Sequence, residues 1–142
     1  MTGLLLDTNV VSELRKPASR RDPIFQTWAT TLKDKDTRLS AVTIAELSRW
    51  VAQRQRDDPT QAAVLDTWLH DFILVHYAGR IIPVDTNVAL IAGPLHVPNP
   101  RDYRDTFIAA TAIYHGLTVA TRNVHDYDAF DVPLINPFEP QA

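Results

Sequence analysis

The chain has 142 residues, of which 45% are hydrophobic and 22% charged, and it contains no cysteine. These values are typical of a soluble globular protein, and we expect residues 1–142 to form one domain. The lack of cysteine excludes disulfides, thiolate zinc sites and a cysteine nucleophile. The formal net charge of -3 lacks the basic excess of many nucleic-acid-binding proteins, so such binding would depend on local patches.

We expect no secretion signal in the N-terminal sequence MTGLLLDTNVV, because no basic residue precedes its short apolar run and Asp7 interrupts that run. No stretch of the chain approaches the ~20 apolar residues that a membrane-spanning helix needs. We therefore expect a cytoplasmic protein without a membrane segment.

The first half of the chain alternates short apolar runs with helical periodicity. The apolar runs predict two buried strands, at residues 3–6 and 38–42. The spacing of apolar residues, with Asp7 and the Asp22-Pro23 pair as start signals, predicts four helices, at residues 10–14, 24–32, 43–55 and 60–77.

The second half continues the same alternation. Strands are predicted at residues 80–84, 117–120 and 133–135. Asp85 opens a helix that ends near Gly93, and a helix at 104–115 ends at Gly116; a loop covers 96–102, and a turn with a short helical piece covers 121–131. This order predicts an α/β fold, a three-layer α/β/α sandwich around a mostly parallel sheet of four or five strands.

Several acidic residues lie near predicted strand ends. Asp7 directly follows the first strand, and Glu46 lies in the first turns of the helix after the second. Asn123 and Asp126 lie just beyond the fourth strand. Ligands of open parallel sheets bind at the carboxyl ends of the strands, so these residues fall on the ligand edge. For Asp105, which begins a helix, the pattern leaves open which edge it occupies.

Carboxylates that share one edge repel each other unless a positive charge offsets them. Oxygen ligands suit Mg²⁺ or Mn²⁺, and such a site can activate water and neutralise charge on a phosphodiester. No GxSxG motif and no glycine-rich phosphate loop accompanies the acids, so the pattern indicates metal-dependent phosphodiester hydrolysis. Taken singly, each acid has an alternative role: Asp7 and Asp105 as helix caps, Glu46 as a solvent-facing residue, and Asp126 as a loop carboxylate.

Other polar and aromatic side chains carry weaker signals. Ser12 and Ser40 have no adjacent His-Asp partner, which argues against a serine hydrolase. The histidines lack metal-type spacing, so we expect surface or packing roles for His70, His76, His96, His115 and His125. We expect core or interface positions for Trp28, Trp50 and Trp68.

Four motifs follow one another along the chain: LLLDTNVVSELRKP, SAVTIAELSRW, RIIPVDTNVALIAGPL, and DTFIAATAIYHGLTVATRNVHDYDAF followed by VPLINPF. In this order they resemble the PIN-domain toxins of the VapC and FitB type. The resemblance implies a PIN fold, a Mg²⁺- or Mn²⁺-dependent endoribonuclease acting on RNA, and the toxin role in a type II toxin-antitoxin system. It also implies a homodimer and a cognate antitoxin protein whose tail blocks the acidic site, with DNA bound only through the antitoxin.

By matching positions, the resemblance makes Asp7, Glu46 and Asp105 catalytic residues and metal ligands, with Asp126 as the fourth acid. Asn9 and either Thr121 or Asn123 are the implied supporting polar residues. Candidate contacts to the RNA phosphates are Arg15, Lys16, Arg49, Arg104 and Arg122.

One segment departs from the family pattern. Only HVPNPRDYR separates Leu95 from Asp105, where family members carry a longer helical stretch. This shortening could displace Asp105 or reduce activity, with Asp102 as a substitute ligand. The alternative function is therefore a catalytically impaired PIN-fold module that binds antitoxin or RNA. A phosphate-receiver domain, which also clusters acids, needs a lysine near its last strand, and PLINPF has none.

Overall fold

The computed structural model of the protein describes residues 3–141. Its strands are β1 (Leu4–Leu6), β2 (Thr37–Ser40), β3 (Ile81–Ile82), β4 (Thr118–Ala120) and β5 (Leu134–Ile135). They form one sheet in the order β3-β2-β1-β4-β5, and every neighbouring pair is parallel. The prediction of a parallel α/β sheet is confirmed, and the sheet has the larger of the two expected strand numbers.

Helices connect these strands. They are α1 (Thr8–Arg15), α2 (Pro23–Ala29), α3 (Ala41–Asp57), α4 (Pro59–Thr67), α5 (Leu74–His76), α6 (Thr86–Ala92) and α7 (Tyr103–His115). A π-helical segment at Trp68–Ile73 joins α4 to α5, and short 3₁₀ turns lie at Ala18–Arg20, Asp34–Asp36, Gly93–His96 and Val124–Tyr127. Within residues 3–141, no helix combines the length and apolar character needed to cross a membrane.

The side chains of β1 alternate between two apolar layers, as the period of a strand requires. Leu4 and Leu6 pack in a cluster with residues of α1, α2 and α3, including Leu47. Leu5 packs on the opposite face in a second cluster with Ile108 of α7. Because both faces of β1 are covered, the sheet is the middle of three layers, and polar groups can gather only at the ends of its strands.

The boundary between β2 and α3 lies two residues earlier than predicted. Ser40 is the N-cap of α3, and its side-chain oxygen accepts a hydrogen bond from the Val42 backbone N–H at 3.0 Å. Ala41 and Val42 therefore form the first helical turn. Their apolar character is compatible with a buried strand or with a buried helix, so hydrophobicity alone could not place this boundary.

Smaller differences affect other ends. The helix predicted at 24–32 stops at Ala29, and the strand predicted over 80–84 pairs only at Ile81–Ile82. Among the tryptophans, Trp28 lies in the core, whereas Trp50 and Trp68 are half-buried and pack against it.

The C-terminus of α7 depends on Gly116. Its φ of +67° is in the left-handed region, and its N–H donates to the Ala112 carbonyl as a helix C-cap. The predicted cap is confirmed. This cap sets the direction in which the chain turns from α7 into β4 and towards the ligand edge.

The Gly116→Ala variant should lower the free energy of unfolding by about 1–2 kcal/mol, because a Cβ atom disfavours left-handed backbone. Gly93→Ala is the matched control: Gly93 has a φ of -54°, and an added Cβ meets no atom within 4 Å at either glycine. Urea unfolding measures both variants. Equal stability of the two would show that the conformation of Gly116 is unimportant.

Candidate active site

The candidate site lies at the carboxyl ends of β1, β2 and β4. Asp7 follows β1 directly, and its backbone N–H donates to the Ala120 carbonyl at the end of β4 at 2.9 Å. Thr121 follows β4, and Ser40 begins α3 after β2. The sheet edge predicted to bind ligands is therefore the edge at which the polar residues meet.

Asp7 is the deepest of the acids, with 0% of its surface exposed. Its Oδ1 accepts the Thr8 N–H at 2.7 Å, so Asp7 also serves as the N-cap of α1. Its Oδ2 accepts hydrogen bonds from the hydroxyls of Thr121 at 2.8 Å and Tyr127 at 3.2 Å. A fully buried carboxylate needs a positive partner as well as hydrogen bonds, since desolvation of an unpaired charge is costly.

Arg104 supplies that positive charge, and it contacts three of the four predicted acids. Its Nη2 donates to Oδ1 of Asp7, its Nε lies 2.8 Å from Oε2 of Glu46, and its Nη1 lies 2.7 Å from Oδ1 of Asp105. Burial alone would lower the pKa of Arg104, but the neighbouring Asp7 charge and the Glu46 hydrogen bond raise it above its ordinary value. Asp7, Glu46 and Asp105 thus converge as predicted, around a guanidinium.

Glu46 reaches the site from α3. Its side chain is 26% exposed, and its Oε1 accepts a hydrogen bond from the Thr8 hydroxyl. Glu46 is therefore not a purely solvent-facing residue, which was its alternative interpretation. The Thr8 contact ties the start of α1 to α3 across the sheet edge.

Asp105 lies in the first turn of α7, after the N-cap Asp102. Its burial raises its pKa; the Arg104 charge opposes this shift, and the charges of Asp126 and Asp102 add to it. The short connection before α7 does not carry Asp105 away from the site. Asp102 does not contact the Arg104 guanidinium as Asp105 does; instead it caps α7 by accepting the Arg104 backbone N–H at 2.8 Å.

His96 holds this connection against α7. Its Nε2 lies 2.9 Å from the Thr106 hydroxyl, and its Nδ1 accepts the Arg101 backbone N–H at 3.1 Å. The loop before α7 is therefore fixed at both of its ends. The sequence predicted a surface or packing role for His96, but it did not predict these two hydrogen bonds.

A cavity of about 570 Å³ opens in front of the acids. Glu46, Asp105 and Arg104 line it, and so does the predicted fourth acid Asp126, which is exposed on the 3₁₀ turn after β4. Asp7 does not line the cavity, because it lies behind Arg104. The structure thus brings Asp126 to the same cavity but not into the ion-pair cluster.

The three supporting polar residues have different contacts. Thr121 alone touches Asp7. Asn9 donates from Nδ2 to the Thr121 hydroxyl oxygen at 3.3 Å and accepts the Arg122 backbone N–H at 2.9 Å. Asn123 donates its backbone N–H to the same Thr121 oxygen at 3.0 Å, and its side chain lines the cavity. Thr121 is thus the central member of this group.

Tyr127 and Thr8 are site residues that are not among the predicted ones. Tyr127 is fully buried, and burial raises its pKa to a value far above that of a free phenol. A tyrosine gives only one signal of this kind in the sequence, namely that its hydroxyl needs a polar partner when the ring is buried. The role of Thr8 could not be predicted from the sequence, because a threonine after a helix N-cap residue is common in proteins.

The five basic residues proposed to contact phosphate lie in different places relative to the acids, and Arg104 pairs directly with three of them. Lys16 and Arg122 line the cavity of the acids. Arg15 lines an adjoining cavity of about 610 Å³, which shares Ser12 and Trp50 with the first. Arg49 is exposed on α3 and does not line these two cavities.

The donor types fit a hard divalent cation, since carboxylate oxygens from Asp7, Glu46, Asp105 and Asp126 are the ligands that Mg²⁺ and Mn²⁺ prefer. In the structure, however, Asp7, Glu46 and Asp105 are arranged around the Arg104 guanidinium. Among residues 3–141, no three Asp, Glu, His or Cys side chains are grouped closely enough to hold a metal ion. The assignment of these residues as metal ligands therefore stays a prediction.

Comparison with known proteins identifies the family. The model of the PIN domain matches residues 4–131. The chain belongs to the PIN-domain family. This PIN-domain protein is 38% identical over 145 aligned residues to Toxin FitB of Neisseria gonorrhoeae, covering 95% of this chain and 98% of FitB. It is 32% identical to VapC ribonuclease Y4jK of Sinorhizobium fredii, covering 96% and 99% of the two chains.

The fold of this PIN-domain protein is also similar to a solved structure. FitAB bound to an IR36 DNA fragment matches it with a TM-score of 0.86 and 35% identity, covering 98% of both chains. The resemblance to VapC- and FitB-type proteins that the four motifs predicted is therefore confirmed.

The Tyr127→Phe variant should lower the free energy of unfolding by about 1–2 kcal/mol, because it removes a buried hydrogen bond to an ionised carboxylate. Tyr114→Phe is the control, since the Tyr114 side chain is 48% exposed and its hydroxyl loss should change stability by less than about 0.5 kcal/mol. Chemical denaturation compares the two. A Tyr127→Phe protein as stable as the parent would contradict the contact with Asp7.

Proposed function

We propose that this PIN-domain protein is the toxin of a type II toxin-antitoxin system and that it acts as a Mg²⁺- or Mn²⁺-dependent endoribonuclease. The observation that carries the proposal is the convergence of Asp7, Glu46 and Asp105, from three different elements, on one positive centre at the sheet edge. Similarity over nearly the full length to a FitB toxin and a VapC ribonuclease supports it.

Each site residue has a task in this proposal. A bound divalent cation would neutralise charge on the RNA phosphodiester and lower the pKa of water. Asp7, Glu46 and Asp105 would hold the cation, and Asp126 would complete the site from the cavity wall. Thr121 and Tyr127 fix the orientation of the Asp7 carboxylate through its Oδ2. Such fixed partners are important because loosely held ligands bind metals weakly.

Basic residues around the cavity would bind the RNA backbone. Lys16 and Arg122 lie in the wall of the acidic cavity, so their charges can attract the phosphate that is cut. The adjoining cavity continues this surface with Arg15, Arg54 and Arg56 beside Trp50. This local basic surface would compensate for the net negative charge of the chain when RNA binds.

The partners follow from the same proposal. A cognate antitoxin protein would bind this toxin and cover its acidic cavity, and DNA would be reached only through the antitoxin. The relative FitAB is known bound to a DNA fragment, which supports an assembly of this kind. We also propose a homodimer and a cytoplasmic location, and we propose that residues 1–142 act as a single PIN domain.

A second candidate is a PIN-fold module that binds antitoxin or RNA without cutting. The observation that favours it is the ion pairing of Arg104 with Asp7, Glu46 and Asp105, which places a positive charge among these acids without a metal ion. The shortened connection before α7 is a weaker argument, because Asp105 still contacts the same guanidinium as Asp7 and Glu46.

The Asp7→Asn variant should lower the rate of RNA cleavage in Mg²⁺ by on the order of 100-fold or more, since even outer-shell partners of a metal contribute about 10–100-fold. The substitution removes one negative charge and keeps the side-chain size. Asp128→Asn is the matched control, because the Asp128 side chain is 62% exposed and, among residues 3–141, forms an ion pair only with His125. Cleavage of total RNA by purified, partner-free protein is the measurement.

Equal cleavage by Asp7→Asn and the parent would contradict the assignment of Asp7. If the purified parent itself shows no cleavage that depends on Mg²⁺ or Mn²⁺, the non-cutting module is the correct function. Circular dichroism of each variant separates loss of activity from loss of fold.

A further inference from the structure

The position of Arg104 has a consequence for access to the acids. Its guanidinium presents a different nitrogen to each carboxylate: Nη2 to Asp7, Nε to Glu46 and Nη1 to Asp105. A guanidinium has five N–H donors in a rigid plane and accepts no hydrogen bond. Arg104 therefore occupies the space between the three acids with the same sign of charge as a metal ion.

The oxygens of Asp7 are fully used in this arrangement. Oδ1 accepts from the Thr8 N–H and from Arg104, and Oδ2 accepts from Thr121 and Tyr127. A carboxylate offers about four lone-pair sites, so none is left free. Thr8 donates from the backbone, and Thr121 and Tyr127 are buried. Arg104 is the one donor of the four with a partly exposed side chain, at 25%.

The cavity shows where this side chain could go. Arg104 lines the cavity, whereas Asp7 lies behind it and is fully buried. A cation that arrives through the cavity therefore meets Arg104 before it meets Asp7. If Arg104 turned outwards, its charge would join those of Lys16 and Arg122, which line the same cavity.

We propose that Arg104 is a built-in counter-cation that competes with the divalent ion for Asp7, Glu46 and Asp105. In this proposal, which rests on the proposed metal-dependent function, the guanidinium closes the site until a divalent ion displaces it into the cavity. The charges favour this exchange, since three carboxylates and one guanidinium leave two negative charges uncompensated. Arg104 is a positioning residue for the acids in the closed arrangement.

The alternative is that Arg104 is a permanent structural ion pair. A permanent pair would hold the acids in place for the metal, so its removal would weaken metal binding. A competitor would have the opposite effect. The sign of the change in metal affinity therefore distinguishes the two roles without any measurement of activity.

The test uses Arg104→Gln, which removes the charge and keeps a polar side chain. Mn²⁺ binding is measured by isothermal titration calorimetry, and the unfolding temperature is measured with and without Mn²⁺. We expect Arg104→Gln to bind Mn²⁺ at least about tenfold more tightly than the parent, which corresponds to roughly 1.4 kcal/mol. We also expect this variant to unfold at a lower temperature than the parent without Mn²⁺, because the acids then repel each other. Addition of Mn²⁺ should raise its unfolding temperature by more than it raises that of the parent.

Arg101→Gln is the matched control. It removes the same charge three residues earlier, where the Arg101 side chain is exposed and its guanidinium lies 6.0 Å from the ring of Phe130. Its Mn²⁺ affinity should stay within about twofold of the parent. Arg104→Lys keeps the charge but cannot contact three carboxylates at once, so an intermediate affinity is expected. This variant also serves as the test if Arg104→Gln does not fold.

The outcomes separate the two proposals. If the parent binds Mn²⁺ and the Arg104 variants bind it equally or more weakly, the competition is wrong and the metal-dependent function stands. If neither the parent nor any Arg104 variant binds Mn²⁺, the proposed metal-dependent function is wrong. The proposed competition between Arg104 and the metal ion is then wrong as well.

Discussion

The buried charge of Asp7 is the constraint on which the rest of the site depends. Asp7 must follow β1 at the middle of the sheet, where both faces are covered by helices and no water reaches it. Its carboxylate accepts from four donors: a backbone N–H, two hydroxyls and the guanidinium of Arg104. Because Arg104 comes from α7 and also pairs with Glu46 of α3, this one charge links three elements at the carboxyl edge of the sheet.

The parallel sheet connects this constraint to function. Strand ends that meet at one edge bring together residues far apart in sequence, such as Asp7 and Thr121. The same edge collects both signs of charge: acids around Arg104, and Lys16 and Arg122 on the cavity wall. In the proposed function, the acids would hold a divalent cation and the basic residues would bind the phosphate beside it, as phosphodiester hydrolysis needs.

The sequence predicted those features that follow from local periodicity and strand order. The helices, the parallel sheet and the edge shared by Asp7 and Glu46 follow from rules of this kind. Arg104 was predicted as a phosphate contact, and its pairing with the three acids could not be predicted, because the sequence does not show in which direction its side chain points. The start of α3 was misplaced because Ala41 and Val42 suit a strand as well as a helix. The position of Asp105 after the short loop could not be predicted, because the contacts of His96 with Thr106 and Arg101 are not visible in the sequence.

The most direct test of the central claim is a crystal structure of the protein grown with Mn²⁺, with the ion located by its anomalous scattering. The account predicts one Mn²⁺ peak in contact with Asp7, Glu46 and Asp105, with the Arg104 guanidinium turned into the cavity. A structure in which Arg104 still pairs with these three acids, and Mn²⁺ binds elsewhere or not at all, would contradict it.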